Sequence, residues 1–141
     1  MTIPDAGEDK RVLVVDDEPW VAEILARMLE ADGHVVDIAE NGAVALELVR
    51  ARHYDLIVCD VRMPDLDGPG FYARIEQEMP ELVPRVVFIT GSAMTPAVER
   101  FLDQTRAPFL NKPFTVEDVR EGTRPVLEGH GPEARTPAGQ P

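Results

Sequence analysis

The sequence predicts an α/β fold, a five-stranded doubly wound parallel sheet with helices on both faces. Five short apolar runs alternate with segments of helical hydrophobic spacing, which is the order of parallel strands and their crossover helices. The clearest run, Leu56 to Cys59, is apolar at every position, as in a strand covered on both faces. The composition, 44% apolar and 28% charged over 141 residues, is that of a single globular domain.

The first half of the chain alternates strands and helices. The first strand is Arg11 to Val15, and the second, His34 to Ala39, is more polar and is therefore expected nearer the sheet edge. The helix between them ends at Asp32-Gly33, because glycine is the usual left-handed stop, and the next helix follows Glu40-Asn41-Gly42. The expected apolar faces are Val21, Ile24, Leu25, Met28 and Leu29 in the first helix and Val44, Ala45, Leu48 and Val49 in the second.

The second half continues the same order after the strand that ends at Asp60. Proline at Met79-Pro80 closes one helix, and Gly122 and Pro125 are unfavourable in the later half of the last helix. The expected elements are a helix from about Gly68 to Glu78, a strand from Arg85 to Thr90, a helix from Pro96 to Asp103, a strand from Pro108 to Asn111 and a helix from Thr115. The expected buried residues of that last helix are Val116, Val119, Val126 and Leu127.

One domain is predicted, over residues 11–127. Residues 1–10 lack hydrophobic periodicity and are expected to be a flexible leader, and residues 128–141, rich in glycine and proline, a disordered tail. No apolar run approaches the roughly 20 residues of a spanning helix, and the N-terminus has no apolar signal core. We therefore expect a cytoplasmic protein without membrane contact.

Charge and cysteine content exclude several kinds of site. A net charge of −12 argues against direct nucleic-acid binding, which requires a basic surface, and is consistent with an acidic site that attracts cations. The single cysteine, Cys59, excludes an internal disulfide and a multi-cysteine metal site. Its position inside an apolar run predicts a small buried hydrophobic residue.

Polar residues with reactive groups follow four of the five predicted strands. They are Asp16-Asp17, Asp60, Thr90-Gly91-Ser92 and Lys112-Pro113. Each alone is typical of a helix cap, a turn or a solvated surface charge. Because ligands of open α/β sheets bind beyond the carboxyl ends of the strands, their joint occurrence predicts a functional site at this edge.

These residues resemble those of the receiver domains of two-component response regulators, which are CheY-like and have a flavodoxin-like fold. The resemblance covers about Lys10 to Leu127, with Asp60 and Thr90 30 residues apart and Thr90 and Lys112 22 apart, as in that family. The matching motifs, in the family's order, are VLVVDDEP, an Asn-Gly turn before a helix, DLIVCDVRMPDLDG, VVFITGSA and FLNKPF.

The resemblance implies a role for each acidic residue. Asp60 would be the phosphoacceptor, which takes a phosphoryl group from a histidine of a sensor histidine kinase or a His-phosphotransfer protein. Asp17, Asp60 and the backbone carbonyl of Arg62 would hold a Mg²⁺ ion. Asp16 would complete this metal site by orienting a metal-bound water.

It also implies roles for the other strand-end residues. Lys112 would pair with Asp60 or with the phosphoryl oxygens, and Thr90 would move to hydrogen-bond the phosphoryl group. Phe109 stands at the aromatic switch position, often a tyrosine, the alternative being a plain core aromatic. Gln104 to Pro108 lack the Gly-Ala-Asp run frequent in the family, so the resemblance does not settle the geometry of the fourth helix.

Elementary electrostatics supports a cation at this site. Two unit negative charges about 4 Å apart repel by about 4 kcal/mol at an effective dielectric constant of 20, so three clustered carboxylates require a cation. Mg²⁺ suits them, being a hard ion that binds a few carboxylates together with phosphate. Asp16 and Asp17 alone could be a solvated pair at a helix start, and Asp60 as a third acid favours the metal site.

The expected function is a phosphorylation switch that changes the face formed by the fourth helix, fifth strand and fifth helix. The protein is expected to be a monomer or a weak dimer. It is expected to catalyse no reaction other than its own phosphorylation and dephosphorylation. It is expected to signal by direct contact with an unknown downstream protein. No output domain is recognised after Leu127. Trp20 is expected to be partly exposed near the acidic pocket and to cover the first helix, the alternative being a partner contact.

Three alternatives remain from the sequence. The chain could be the terminal receiver fragment of a hybrid histidine kinase. It could be a phosphohydrolase of the haloacid-dehalogenase type, although Arg62 stands where that family places its second aspartate. A degenerate receiver that functions without phosphate is disfavoured because all five key side chains are present.

Overall fold

The computed structural model describes residues 10–63, 66–91 and 95–129. The predicted leader, except Lys10, and the predicted tail beyond residue 129 lie outside this part of the chain, as does Ser92. The strands are β1 (Arg11–Val15), β2 (Val35–Ala39), β3 (Leu56–Asp60), β4 (Val86–Thr90) and β5 (Phe109–Asn111). The helices are α1 (Pro19–Ala31), α2 (Gly42–Ala51), α3 (Gly68–Glu78), α4 (Pro96–Thr105) and α5 (Val116–Leu127). None of these helices is long and apolar enough to cross a membrane.

The five strands form one parallel sheet in the order β2-β1-β3-β4-β5, which confirms the predicted fold class and the edge position of β2. Successive residues of a strand point to opposite faces. In β1, Leu13 and Val15 therefore join a core with α2, α3 and α4, whereas Val12 and Val14 join a core with α1 and α5. Helix layers on both faces explain why β1, β3 and β4 are apolar almost throughout.

The fifth helix differs most from the sequence prediction. It continues through Gly122 and Pro125 to Leu127, because tertiary packing outweighs their low helix propensity. A Cβ at Gly122 would lie 2.6 Å from Cδ2 of Leu110, so the glycine allows α5 to pack closely on β5. Val116, predicted to be buried, is exposed at the start of the helix.

Two further differences lie before and after β4. A short 3-10 helix, Pro80–Arg85, joins α3 to β4 and has no counterpart in the prediction. α4 extends to Thr105, two residues beyond its predicted end, and stops at Arg106 with φ of 59°. A left-handed residue in this place ends a helix as glycine usually does, so the helix is regular without the Gly-Ala-Asp run.

A Gly42→Ala substitution is expected to lower the free energy of unfolding by about 2 kcal/mol. The N–H of Gly42 donates to the carbonyl oxygen of Leu66 at 3.0 Å, which fixes the loop after β3 against the start of α2. A Cβ on residue 42 would lie 2.3 Å from that same oxygen, a contact that backbone movement must relieve. Urea denaturation measures the change. Gly91→Ala is the control, since its Cβ would meet no atom of residues 10–63, 66–91 and 95–129 within 4 Å and little change is expected.

Candidate functional site

The carboxyl edge of the sheet gathers the acidic residues predicted from the sequence. Asp60 ends β3 at the centre of the sheet, and Asp16 and Asp17 follow β1 beside it. One carboxylate oxygen from each of the three lies within 4.8 Å of the others. Asp16 and Asp60 are buried, whereas Asp17 is exposed. The site is therefore an acidic pocket that combines two buried carboxylates with one that is exposed to solvent.

Lys112 brings the positive charge of the pocket from β5. Its Nζ lies 3.7 Å from Oδ2 of Asp60, 3.9 Å from Oδ2 of Asp16 and 3.2 Å from Oε1 of Glu18. Its backbone N–H donates to the carbonyl of Thr90 at 2.9 Å, so the pairing of β5 with β4 sets its position. Burial opposes the charged form, but Asp60 and Asp16 raise the pKa of Lys112, which keeps the amine protonated.

The negative charges of the buried carboxylates are not fully neutralised by the groups around them. Burial raises the pKa of Asp16 to about 6, against the opposing effect of the Glu18 N–H, which donates to Oδ1 at 2.9 Å. Burial also raises the pKa of Asp60, while Lys112 lowers it. Oδ2 of Asp16 is buried without a hydrogen-bond partner among the described residues. The pocket thus has more negative charge than Lys112 neutralises.

This arrangement fits a hard divalent cation. Mg²⁺ prefers oxygen ligands, binds through a few carboxylates and keeps several waters, which an open pocket permits. The cluster of three acids offers such oxygens, and Oδ2 of Asp16, which has no hydrogen-bond partner among the described residues, can accept from a bound water. Arg62 lies at the same place, since its backbone N–H is 3.4 Å from Oδ1 of Asp60. The predicted role of its carbonyl as a ligand remains a prediction.

Thr90 and Phe109, the two predicted switch residues, lie on neighbouring strands. Thr90 is buried, and its hydroxyl donates to Oδ1 of Asn111 at 2.8 Å. A Cβ on the adjacent Gly91 would meet no atom of the described residues within 4 Å, so this part of the chain leaves space beside Thr90. Phe109 is 42% exposed, which excludes the alternative of a plain core aromatic. Asn111 is a contact that the sequence analysis missed.

An exposed apolar surface adjoins the pocket. Trp20 is 65% exposed, in agreement with its expected partial exposure near the pocket, whereas Ile24, expected on the apolar face of the first helix, is 40% exposed. Together with Met28 and Phe114 they line a groove of about 580 Å³ that reaches Lys112. The acidic pocket therefore has an apolar neighbour rather than a uniformly charged rim.

Comparisons with known proteins show which family the chain resembles. The model of the response regulator receiver domain family matches residues 12–124. Over 127 residues, 90% of the chain, it is 34% identical to the transcriptional regulatory protein TcrA of Mycobacterium tuberculosis. The match covers 49% of TcrA and 31% of the transcriptional regulatory protein ZraR of Klebsiella oxytoca, so the chain spans half or less of the length of these two curated relatives.

Solved structures of the same kind superpose on the chain. The chemotaxis protein CheY4 of Vibrio cholerae is 26% identical with a TM-score of 0.73, over 84% of this chain and 98% of that one. The response regulator protein TrrA of Thermotoga maritima, solved in complex with Mg²⁺-BeF, is 28% identical with a TM-score of 0.71. That match covers 83% of this chain and 98% of TrrA.

Proposed function

The chain belongs to the response regulator receiver domain family, and we propose that Asp60 is the residue on which it accepts a phosphoryl group. The observation that carries this proposal is the pairing of a buried carboxylate at the end of β3 with the amine of Lys112 3.7 Å away. Two further carboxylates, Asp16 and Asp17, lie beside it. A nucleophile, a positive point charge and a set of cation ligands thus share one pocket.

The proposed transfer requires no general base. An oxygen of the Asp60 carboxylate attacks phosphorus and forms the new P–O bond. The P–N bond to the donor histidine breaks, and its electron pair returns to the imidazole nitrogen. Lys112 places its ammonium group beside the phosphoryl oxygens, where it offsets their charge. Bound Mg²⁺, held by Asp17, Asp60 and the Arg62 carbonyl with Asp16 orienting its water, would supply further charge neutralisation.

The consequence of transfer would be a switch. Thr90 turns its hydroxyl to the phosphoryl group, using the space beside Gly91, and Phe109 changes its exposure. The face of α4, β5 and α5 would then bind a downstream protein differently. A change from 1:99 to 99:1 requires about 5.5 kcal/mol of differential stabilisation, which charge-assisted bonds from Lys112 and Thr90 can help to supply. The chain would act on no separate substrate.

The proposed donor is a sensor histidine kinase or a His-phosphotransfer protein in the cytoplasm. Trp20 and Ile24 would receive an apolar part of this donor, because their exposed groove extends to Lys112 and hence to the acceptor. Apolar contacts also suit a protein whose net charge of −12 makes polyanions unfavourable partners. The downstream partner is proposed to be a protein bound by direct contact.

Intact mass after incubation with acetyl phosphate tests the proposal. With Mg²⁺ we expect the addition of one phosphoryl group, and with EDTA none. Hydroxylamine is expected to remove the group, because it cleaves acyl phosphates and leaves phosphate esters of serine or threonine intact. A phosphoryl adduct that resists hydroxylamine, or one that forms equally in EDTA, would contradict an aspartyl phosphate at this site.

A further inference from the structure

The hydroxyl of Thr90 makes a specific contact across two strands. Thr90 and Asn111 are register partners in the parallel pair β4 and β5, so their side chains project to the same face of the sheet. Thr90 Oγ1 donates to Asn111 Oδ1 at 2.8 Å, a short and well-formed hydrogen bond. Asn111 directly precedes Lys112, the residue that contacts Asp60.

This hydrogen bond competes with the proposed movement of Thr90. A threonine hydroxyl has one proton to donate, and a phosphoryl oxygen can only accept. Thr90 therefore cannot donate to Asn111 and to the phosphoryl group at once. The backbone of β4 and β5 is held by their pairing, since the Lys112 N–H donates to the Thr90 carbonyl. Only the side chain of Thr90 therefore needs to rotate for its hydroxyl to exchange Asn111 for the phosphoryl group.

We propose that Asn111 is a positioning residue that holds Thr90 in the resting orientation and so lowers the affinity of the pocket for a phosphoryl group. This inference rests on the proposed function of Asp60. Breaking a neutral hydrogen bond of this kind reduces the apparent affinity about fivefold, since the contact must be given up on binding. Removal of the Asn111 acceptor should therefore raise the apparent affinity for a phosphoryl group about fivefold.

Beryllofluoride, which imitates a phosphoryl group on aspartate, is the probe. BeCl₂ is titrated at fixed excess of NaF and MgCl₂ into the wild type, Asn111→Val, Thr90→Val and the double variant, and bound fluoride is followed by ¹⁹F NMR. We expect Asn111→Val to lower the apparent Kd about fivefold when Thr90 is present. In the Thr90→Val background, where no hydroxyl remains to be held, the same substitution should leave the Kd unchanged.

The four proteins distinguish the outcomes. An equal effect of Asn111→Val in both backgrounds would show that Asn111 acts through strand packing, and weaker binding of Asn111→Val would show that Asn111 assists Thr90 in the bound state; either result overturns the inference. Failure of the wild type to bind beryllofluoride would instead contradict the proposed function of Asp60. Urea denaturation of each variant confirms that the pocket remains folded.

Discussion

An Asp60→Asn variant is expected to incorporate no phosphoryl group from acetyl phosphate and, without Mg²⁺, to be more stable than the wild type. The amide lacks the nucleophilic carboxylate oxygen, so the loss of incorporation is complete. Stability rises because Asp60 is buried among like charges, with Asp16 and Asp17 nearby and Lys112 as the close cation. The cost of burial and of repulsion by the neighbouring acids and the attraction of Lys112 each amount to several kcal/mol and largely cancel. The free energy of unfolding should therefore rise by about 1 to 2 kcal/mol.

Intact mass with Mg²⁺ and urea denaturation in EDTA measure the two effects on the same sample. Glu23→Gln is the matched control, since Glu23 is an exposed acid of α1 paired only with Arg27 in the described structure. This variant should keep both the phosphoryl addition and the stability of the wild type. Phosphoryl addition to the Asp60→Asn variant would place the acceptor elsewhere. A lower stability would mean that the attraction of Lys112 exceeds the repulsion and burial cost.

The sheet and the acidic pocket could be predicted from the sequence because both follow from short-range patterns. A strand that is buried on both faces is apolar at nearly every position, which identifies β3 up to Asp60 and β4 up to Thr90. Parallel strands share a carboxyl edge, so residues that follow them in sequence meet in space. This is why Asp16, Asp60 and Lys112, far apart in the chain, were expected together and lie together.

The features that the sequence did not reveal depend on register and packing. The contact of Thr90 with Asn111 requires the exact pairing of β4 with β5, which no local pattern specifies. The continuity of α5 depends on how closely Gly122 approaches Leu110. Glu18 contacts Lys112, and the only indication of this in the sequence is its position directly after Asp16 and Asp17. Ile24 is exposed because α1 buries a different stripe of its surface.

Without Mg²⁺, the protein is expected to lose stability as the pH rises from about 4 to 7. The pKa of Asp16 is raised from 3.8 to about 6 in the folded state, mainly by burial. Such a group favours folding while it is protonated, so its contribution is fully present below pH 3.8 and is lost as the pH rises through 6. A shift of about two units corresponds to at most about 3 kcal/mol. Asp60, whose pKa is also raised, changes stability in the same direction.

Asp16→Asn should remove most of this pH dependence. The amide has no charge to bury, and its Oδ1 can still accept the Glu18 N–H. Urea denaturation in EDTA at pH 4.5, 6 and 7.5 gives the slope, and an unchanged slope in the variant would assign it to other groups. Asp55→Asn is a control of opposite sign. Burial of Asp55 is outweighed by hydrogen bonds from the Arg11 N–H and His53, which lower its pKa, so this variant should lose stability at pH 7.5.

Added Mg²⁺ should reverse the loss of folding stability that the wild type shows at pH 7.5. A ligand that binds only the folded state at one hundred times its Kd adds about 2.7 kcal/mol to the free energy of unfolding. Asp55→Asn lies at the opposite edge of the sheet and should gain as much as the wild type, whereas Asp16→Asn should gain less because one acid of the cluster is missing. Equal gains in all three proteins would show that Mg²⁺ does not act through this pocket.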